Sequence, residues 1–121
     1  MQARKEKTIT LDRLKKRSDF LRVQKAGKKW VSKTVIVQVA PSETEDARRY
    51  GITVTKQVSK LSVDRNRIKR RLRAACADVL PDILKRGTDI VLIGRIETGR
   101  CEYADLTRDL AWCLRKMEVT Q

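Results

Sequence analysis

The chain has 121 residues, a length that fits one domain with one modest core. Lys and Arg total 29 against 15 Asp and Glu, so the formal net charge is +14, and there is no histidine. The missing imidazole excludes Ser-His-Asp and Cys-His nucleophile systems and His-ligated zinc or haem. We therefore expect no catalytic side chain: if this protein serves a reaction, another component carries out the chemistry.

The positive charge predicts a polyanionic partner. A 14.0 kDa chain with a pI near 10.3 repels itself unless a partner neutralises it, and nucleic acid is favoured over an anionic membrane surface. No apolar stretch is long enough to span a bilayer, and no secretory signal is recognisable. Cys76, Cys101 and Cys113 are odd in number and form no CxxC motif, which favours free thiols. These features predict a cytoplasmic protein without a membrane partner.

The charge is concentrated in two blocks. Residues 1–33 carry a net +9 and residues 65–87 a net +6, whereas residues 34–64 are neutral and residues 88–121 carry −1. This partition is typical of a protein with one side facing a polyanion. We treat residues 1–121 as a single nucleic-acid-binding domain, in which residues 1–10 form a flexible basic arm.

The first half of the chain predicts one helix and then strands. Ser18 is the expected N-cap of a helix that stops at Gly27. Val31 and then Thr34–Ala40 are rich in β-branched residues and predict strand. Tyr50–Val58 alternates between apolar and polar residues, as a half-buried strand does, and the simplest pairing is a hairpin with the preceding strand.

The second half predicts a helix, a strand and a helix. Asp64 is the expected cap of a helix that begins near Arg65 and ends or kinks near Pro81. Asp89–Arg95 contains the apolar run IVLI, which is typical of a strand covered on both faces. Tyr103–Met117 predicts an amphipathic final helix. The order indicates an α+β fold with a β-α-β unit in its second half.

The segment Arg65–Arg73, RNRIKRRLR, is the strongest candidate site. Ile68 and Leu72 would face the core, and six cations would cover the remaining helix surface. Such crowding of like charge costs helix stability, which contacts with phosphates would offset. The alternative of an ordinary solvated helix face is disfavoured because such faces mix charge signs. Asn66 adds a group that can read a base edge or a sugar.

Other residues leave alternatives open. Phe20 could pack in the core or stack on an unpaired base, and both hold if it lines a groove between helix and sheet. Trp112 is predicted to belong to the core. Glu102, Asp105 and Asp109 could form a carboxylate cluster for Mg²⁺, but acids near a helix N-terminus explain them better, so no protein metal site is predicted.

The segment GITVTKQVSKLSVDRNRIKRRLRAA resembles the signature of the bacterial ribonuclease P protein family. In that family a strand ending in a Ser/Ala-Lys-type element is followed by a short loop and by Arg-Asn-Arg opening a helix. Here these features are Thr55 and Lys56, the loop Gln57–Asp64, and the start of RNRIKRRLR. The similarity extends over about residues 11–117.

This resemblance implies an α-β-β-β-α-β-α domain, a ribosomal-protein-like two-layer sandwich whose β-α-β crossover is left-handed. It implies an accessory subunit of an endonuclease whose catalytic RNA, with Mg²⁺ bound mainly by that RNA, removes the 5′ leader of precursor tRNA. The protein would lower the Mg²⁺ requirement and broaden the substrate range, with no obligate protein partner. The alternatives are a structural ribosomal-type RNA-binding protein without a catalytic role and a DNA-binding regulator.

The resemblance also implies which residues contact which RNA. The residues expected to bind the catalytic RNA subunit are Arg65, Asn66, Arg67, Lys69, Arg70, Arg71 and Arg73. The residues expected to bind the leader are Phe20, Lys56, Lys16, Arg17 and Val37.

Overall fold

A computed structural model describes residues 11–43 and 47–121 of the chain, so the predicted arm at residues 1–10 lies outside the described residues. Within the described part, no helix is both long and apolar enough to cross a membrane. In chain order the elements are β1 (Asp12–Arg13), α1 (Arg17–Ala26), β2 (Lys28–Val31), β3 (Val35–Pro41), β4 (Arg48–Thr53), α2 (Ser62–Ile83), β5 (Thr88–Gly94), α3 (Ile96–Arg100) and α4 (Tyr103–Lys116). The α+β fold is confirmed, with β1 and α3 added to the predicted order.

The strands form one mixed sheet in the order β1-β4-β5-β3-β2. The predicted hairpin between β3 and β4 is wrong, because β5 lies between them, parallel to β4 and antiparallel to β3. Ile90 and Leu92 point to one face and Val91 to the other, and all three are buried. A strand that is apolar on both faces is most stable at the centre of a sheet, so β5 separates the expected partners. The predicted β-α-β unit is confirmed as β4-α2-β5.

Both predicted N-caps are wrong. Helix α1 begins at Arg17 after Lys16, and α2 begins at Ser62 after Leu61, in neither case with a side-chain cap hydrogen bond. Asp64 lies inside the first turn of α2 instead, where an acid is favourable near the helix N-terminus, and it accepts a hydrogen bond from Ser59 Oγ at 2.9 Å. The predicted stop at Gly27 is confirmed: its φ of 78° suits glycine, and its N–H bonds to the carbonyl of Gln24.

Helix α2 continues past Pro81 to Ile83, so of the two predicted effects of that proline, an end or a kink, the end is wrong. A proline so close to the end of a helix costs little, because few backbone bonds remain beyond it. The Arg48 guanidinium also donates to the carbonyls of Pro81 at 3.0 Å and Leu84 at 3.3 Å. Arg48 therefore ties the last turn of α2 to β4.

The two faces of the sheet carry cores of different size. On one face α2 and α4 cover a large cluster that includes Val35, Val37 and Val39 of β3 and Leu72 of α2. On the other face α1 covers a small cluster of buried residues, with Phe20 and Ile93 packed beside it. The buried members of the small cluster are Leu14, Val23, Ala40 and Val91.

Trp112 lies outside the core, so its predicted burial is wrong. The buried stripe of α4 consists of Leu106, Leu110, Cys113 and Leu114. Trp112 projects beside that stripe with 38% of its surface exposed, and it meets Trp30 of β2 edge to face, with ring centroids 5.9 Å apart.

Candidate nucleic-acid interface

Helix α1 is attached to the sheet by a buried ionic cluster. The Asp89 carboxylate is fully buried and accepts hydrogen bonds from Arg22 of α1 and from both Nε (3.1 Å) and a terminal nitrogen (2.7 Å) of Arg49 of β4. Asp19 of α1 lies 3.5 Å from Arg22 and 3.7 Å from Arg49. The Asp89 carboxylate raises the pKa of both guanidinium groups through these hydrogen bonds. Arg22, a cation of the first basic block, thus serves the fold and is engaged within the protein.

Phe20 lies over a glycine of the sheet. A Cβ added to Gly51 would stand 2.6 Å from two ring carbons of Phe20, so no larger residue fits there without displacing the ring. The ring is half-buried and packs beside the small cluster. Both interpretations of Phe20 are therefore compatible with the structure: the ring packs on the sheet and keeps an exposed part.

A row of half-buried residues lies beside Phe20 on the same face. Register places Val31, Ile36, Ile93 and Thr53 side by side across β2, β3, β5 and β4. Val31 is 50% exposed and the other three are half-buried. We call this row, together with Phe20, the sheet groove.

The three cations expected near this groove are exposed to solvent. Lys16 and Arg17 are exposed at the start of α1, and Lys16 precedes Phe20 by four residues, which puts both on one side of the helix. Lys56 is exposed three residues beyond the end of β4.

Val37 is not available to a ligand, so its assignment to the leader site is wrong. The side chain is fully buried in the large cluster on the opposite face. Successive side chains of a strand point to opposite faces, so Ile36 and Gln38, both half-buried, occupy the groove face instead. The polar Gln38 in the middle of VIVQV was the sequence signal for the less covered face.

The cations of α2 fall into two groups. Arg65 donates to the Ser59 carbonyl at 2.8 Å, Arg67 to the Gly99 carbonyl at 3.3 Å, and Arg71 to the carbonyl of Cys101. The sequence did not reveal these acceptors, because two of them come from α3 and the turn after it. Hydrogen bonds to carbonyls fix the guanidinium groups without neutralising their charge.

The remaining polar residues of this segment have no acceptor for a side-chain hydrogen bond among the described residues. Asn66, Arg70 and Arg73 are exposed and Lys69 is half-buried. Within the described ranges, none of the α2 cations pairs with a carboxylate. We call the segment Arg65–Arg73 the cationic helix face.

The cationic helix face and the sheet groove lie at the same end of the sheet, on opposite faces. A Cβ added to Gly94, the last residue of β5, would stand 2.6 Å from Ile68 of α2, which places the first turns of α2 at the carboxyl end of β5. Thr53 and Ile93 of the groove lie at the same strand ends. One extended molecule could therefore touch both surfaces.

The acids of α4 are engaged elsewhere. Asp105 pairs with Arg108, and Asp109 accepts a hydrogen bond from Thr34 Oγ1 at 2.7 Å. Among residues 11–43 and 47–121, no group of three or more His, Cys, Asp or Glu side chains is placed to hold a metal ion. All three cysteines are free, and burial raises the pKa of the Cys76 thiol to about 12 and also raises that of Cys113.

Comparison with known proteins identifies the family. The family model Ribonuclease P matches residues 10–118. A ribonuclease P protein component of Paramagnetospirillum magneticum is 45% identical over 115 residues, covering 92% of this chain and 86% of that protein. One from Gluconacetobacter diazotrophicus is 43% identical over 107 residues, covering 88% and 91%.

Solved structures agree with the sequence relatives. The RNase P protein of Staphylococcus aureus superposes with a TM-score of 0.75 at 27% identity, covering 93% of this chain and all of that one. The RNase P protein of Thermotoga maritima gives a TM-score of 0.71 at 27% identity, covering 87% and 96%. The chain belongs to the family of ribonuclease P protein components.

Proposed function

We propose that this chain is the protein subunit of a ribonuclease P that removes the 5′ leader of precursor tRNA, and that its cationic helix face binds the catalytic RNA while its sheet groove binds the leader. The observation that carries the proposal is the position of the two surfaces. They lie back to back at one end of the sheet, so one protein can bridge an RNA scaffold and a strand bound to it.

The cationic helix face suits a folded RNA. Arg65, Arg67 and Arg71 are oriented by carbonyls, so they lose little further freedom when a phosphate binds. Arg70 and Arg73 extend outward and can reach more phosphates. Charge supplied by the protein replaces counterions that the RNA would otherwise need, which is how we expect the protein to lower the Mg²⁺ requirement.

The sheet groove suits an unpaired strand. Its floor is mostly apolar and half-buried, so the flat face of an unpaired base can cover it, whereas a duplex presents a charged backbone to the protein. Phe20 offers an aromatic surface for stacking, and Lys16, Arg17 and Lys56 can meet the phosphates along the rim. Stacking and phosphate contacts tolerate any base sequence, so this mode of binding would broaden the range of precursors.

We assign no step of the cleavage to a side chain of this protein. In the proposed complex the RNA holds Mg²⁺, which supplies the metal-assisted hydrolysis. The protein positions the substrate and provides charge.

Reconstitution tests the proposal. Cleavage of a precursor tRNA by the catalytic RNA is measured at low Mg²⁺ with and without the protein, and we expect the protein to increase 5′-leader removal strongly. Cleavage that does not increase would overturn the proposal in favour of a structural RNA-binding role. Preference for duplex DNA over structured RNA in a competition assay would instead support a DNA-binding regulator.

A further inference from the structure

Both tryptophans of the chain lie exposed on one edge of the sheet, where neither proposed surface uses them. Trp30 of β2 and Trp112 of α4 are 36% and 38% exposed, with their rings at 71° to one another. Val31, the next residue of β2, is 50% exposed. Large apolar side chains gathered on a surface mark an interaction site more often than the same residues scattered singly.

A groove of about 550 Å³ runs beside Trp112. It is lined by Trp112, Arg108 and Arg115 of α4 together with Val31 and Lys33 at the end of β2, and we call it the tryptophan groove. Its positive charge is only partly compensated. Arg108 pairs with Asp105, but within the described part of the chain neither Lys33 nor Arg115 makes an ion pair.

The acid in the groove, Asp109, forms no ion pair with Lys33 or Arg115. The Asp109 carboxylate accepts a hydrogen bond from Thr34 Oγ1, which holds it against the start of β3. An aromatic ring flanked by free cations matches a base and its phosphate. A second copy of this chain is a poor occupant, because the groove cations and Lys28 and Lys29 of β2 would face their own copies.

The tryptophan groove continues the sheet groove. Val31 belongs to both, since it ends the row that begins at Thr53 on β4 and it also lines the cavity beside Trp112. From β4 to β2 the row spans three strand spacings, about 14 Å in all. A strand that crosses the row reaches the β2 edge at Val31, and Trp112 lies round that edge, on the side of the sheet that α4 covers.

We propose that the tryptophan groove is a second site for single-stranded RNA, which takes leader nucleotides that extend beyond those held over the sheet. This inference rests on the proposed function, because it needs a leader in the sheet groove. A base stacks on Trp112, and Lys33 and Arg115 bind the adjacent phosphates. Only a leader long enough to pass the β2 edge uses this site.

Intrinsic fluorescence gives a direct test, because the only two tryptophans lie at the site. In the Trp30→Phe variant the emission reports Trp112 alone. This variant, reconstituted with the catalytic RNA, is titrated with precursors whose leaders have about four and about twelve nucleotides. Both lengths lie within the range of site sizes that proteins use to bind single strands. We expect strong quenching only with the long leader. Unchanged emission while the long-leader precursor binds would overturn the inference.

Affinity measurements complete the test. Trp112→Ala should weaken binding of the long-leader precursor by roughly fivefold or more and leave the short-leader precursor unaffected. The Lys33→Ala/Arg115→Ala variant keeps the Trp112 ring and should show the same selective loss of affinity. It therefore tests the site even if Trp112→Ala does not fold. Lys85→Ala, an exposed cation at the opposite end of β5, is the matched control and should change neither affinity.

The outcomes separate this inference from the proposed function. An equal loss on both precursors, weaker binding of the catalytic RNA, or no loss would each overturn the leader assignment of the groove. If the unaltered protein gives no preference for a precursor with a leader over one without, the proposed function fails as well. If that preference is present and the groove variants have no effect, only this inference fails.

Discussion

The two faces of the sheet are held in different ways, and each way suits a different task. On one face, α2 and α4 bury a continuous apolar core that runs from Val35 to Leu114. On the other face, α1 buries only one apolar side chain, Val23, against the three other apolar residues of the small cluster and depends on the ionic cluster around Asp89. The large core fixes α2 as a rigid support for cations, whereas the small one leaves part of the sheet uncovered.

This difference explains how one small domain can offer two surfaces. A helix packed along its whole length can bind only through its outer side, and that side of α2 carries the cationic helix face. A helix attached at a few ionic contacts can leave the strand ends beside it open, and those ends form the sheet groove. Substitutions on each face test this difference, and we expect the largest effect at Asp89.

Asp89→Asn should break the attachment of α1. It leaves Arg22 and Arg49 facing a neutral group, and the unfolding free energy should fall by about 3 kcal/mol. This value is at the lower end of the range for a broken buried ion pair, because both arginines keep some exposure. Urea denaturation measures the loss. Asp105→Asn, which breaks the exposed pair with Arg108, is the control and should cost less than about 0.5 kcal/mol. Equal effects would mean that apolar contacts alone hold α1.

Gly51→Ala should disturb the groove through Phe20. The added methyl group overlaps the ring, and the expected loss is about 1–3 kcal/mol of unfolding free energy. In a Phe20→Ala background the same substitution should cost little, since the ring is gone. Thermal denaturation of the four proteins in this double-mutant cycle gives the coupling. Additive losses would refute the proximity of the ring to Gly51.

Arg70→Ala/Arg73→Ala should alter RNA binding without altering the fold. Neither side chain has an acceptor among the described residues, and their removal relieves like-charge repulsion, so the unfolding free energy should not fall. Affinity for the catalytic RNA should fall. The slope of log affinity against log salt concentration should become shallower by about 2, because each phosphate that the protein no longer neutralises reduces the slope by about 1. A filter-binding series over salt concentration measures the slope. An unchanged slope would place the RNA elsewhere.

Cys76 should make the large core sensitive to alkali. Burial raises the pKa of this thiol from 9.0 to about 12. Between about pH 9 and pH 12 the thiol is therefore ionised in the unfolded chain but still protonated in the folded one, and the unfolding free energy falls as the pH rises. The expected loss is about 1 kcal/mol at pH 10. Cys76→Ala should flatten the decline of unfolding free energy with pH, and Cys113→Ala should flatten it in part. An identical decline in Cys76→Ala would contradict this origin.

Local patterns predicted the elements well because their causes are local. The apolar run IVLI identified a strand buried on both faces, and the spacing from Ile68 to Val79 identified the buried stripe of α2. Gly27 marked the end of α1 because only the backbone conformation at that point matters.

Pairing and orientation could not be predicted in this way. The hairpin prediction was wrong because β5, which separates β3 from β4, begins some 35 residues after β4 ends. Alternation divides β3 into two sets of side chains, but which set meets the larger core depends on where α2 and α4 pack. For that reason Val37 was assigned to the groove in place of Ile36 and Gln38. The carbonyl acceptors of Arg67 and Arg71 were likewise hidden, because α3 has no strong sequence signal.

The central claim is that the two surfaces serve different RNAs, and one comparison tests it directly. Phe20→Ala and Arg70→Ala/Arg73→Ala are each measured for affinity to the catalytic RNA and, as reconstituted enzymes, to precursor tRNA with and without a leader. We predict that Phe20→Ala weakens only the binding of the precursor with a leader, by roughly fivefold or more, because one base can no longer stack. The arginine variant should weaken only the binding of the catalytic RNA. Loss of catalytic-RNA affinity in Phe20→Ala, in a protein that remains folded, would contradict the account.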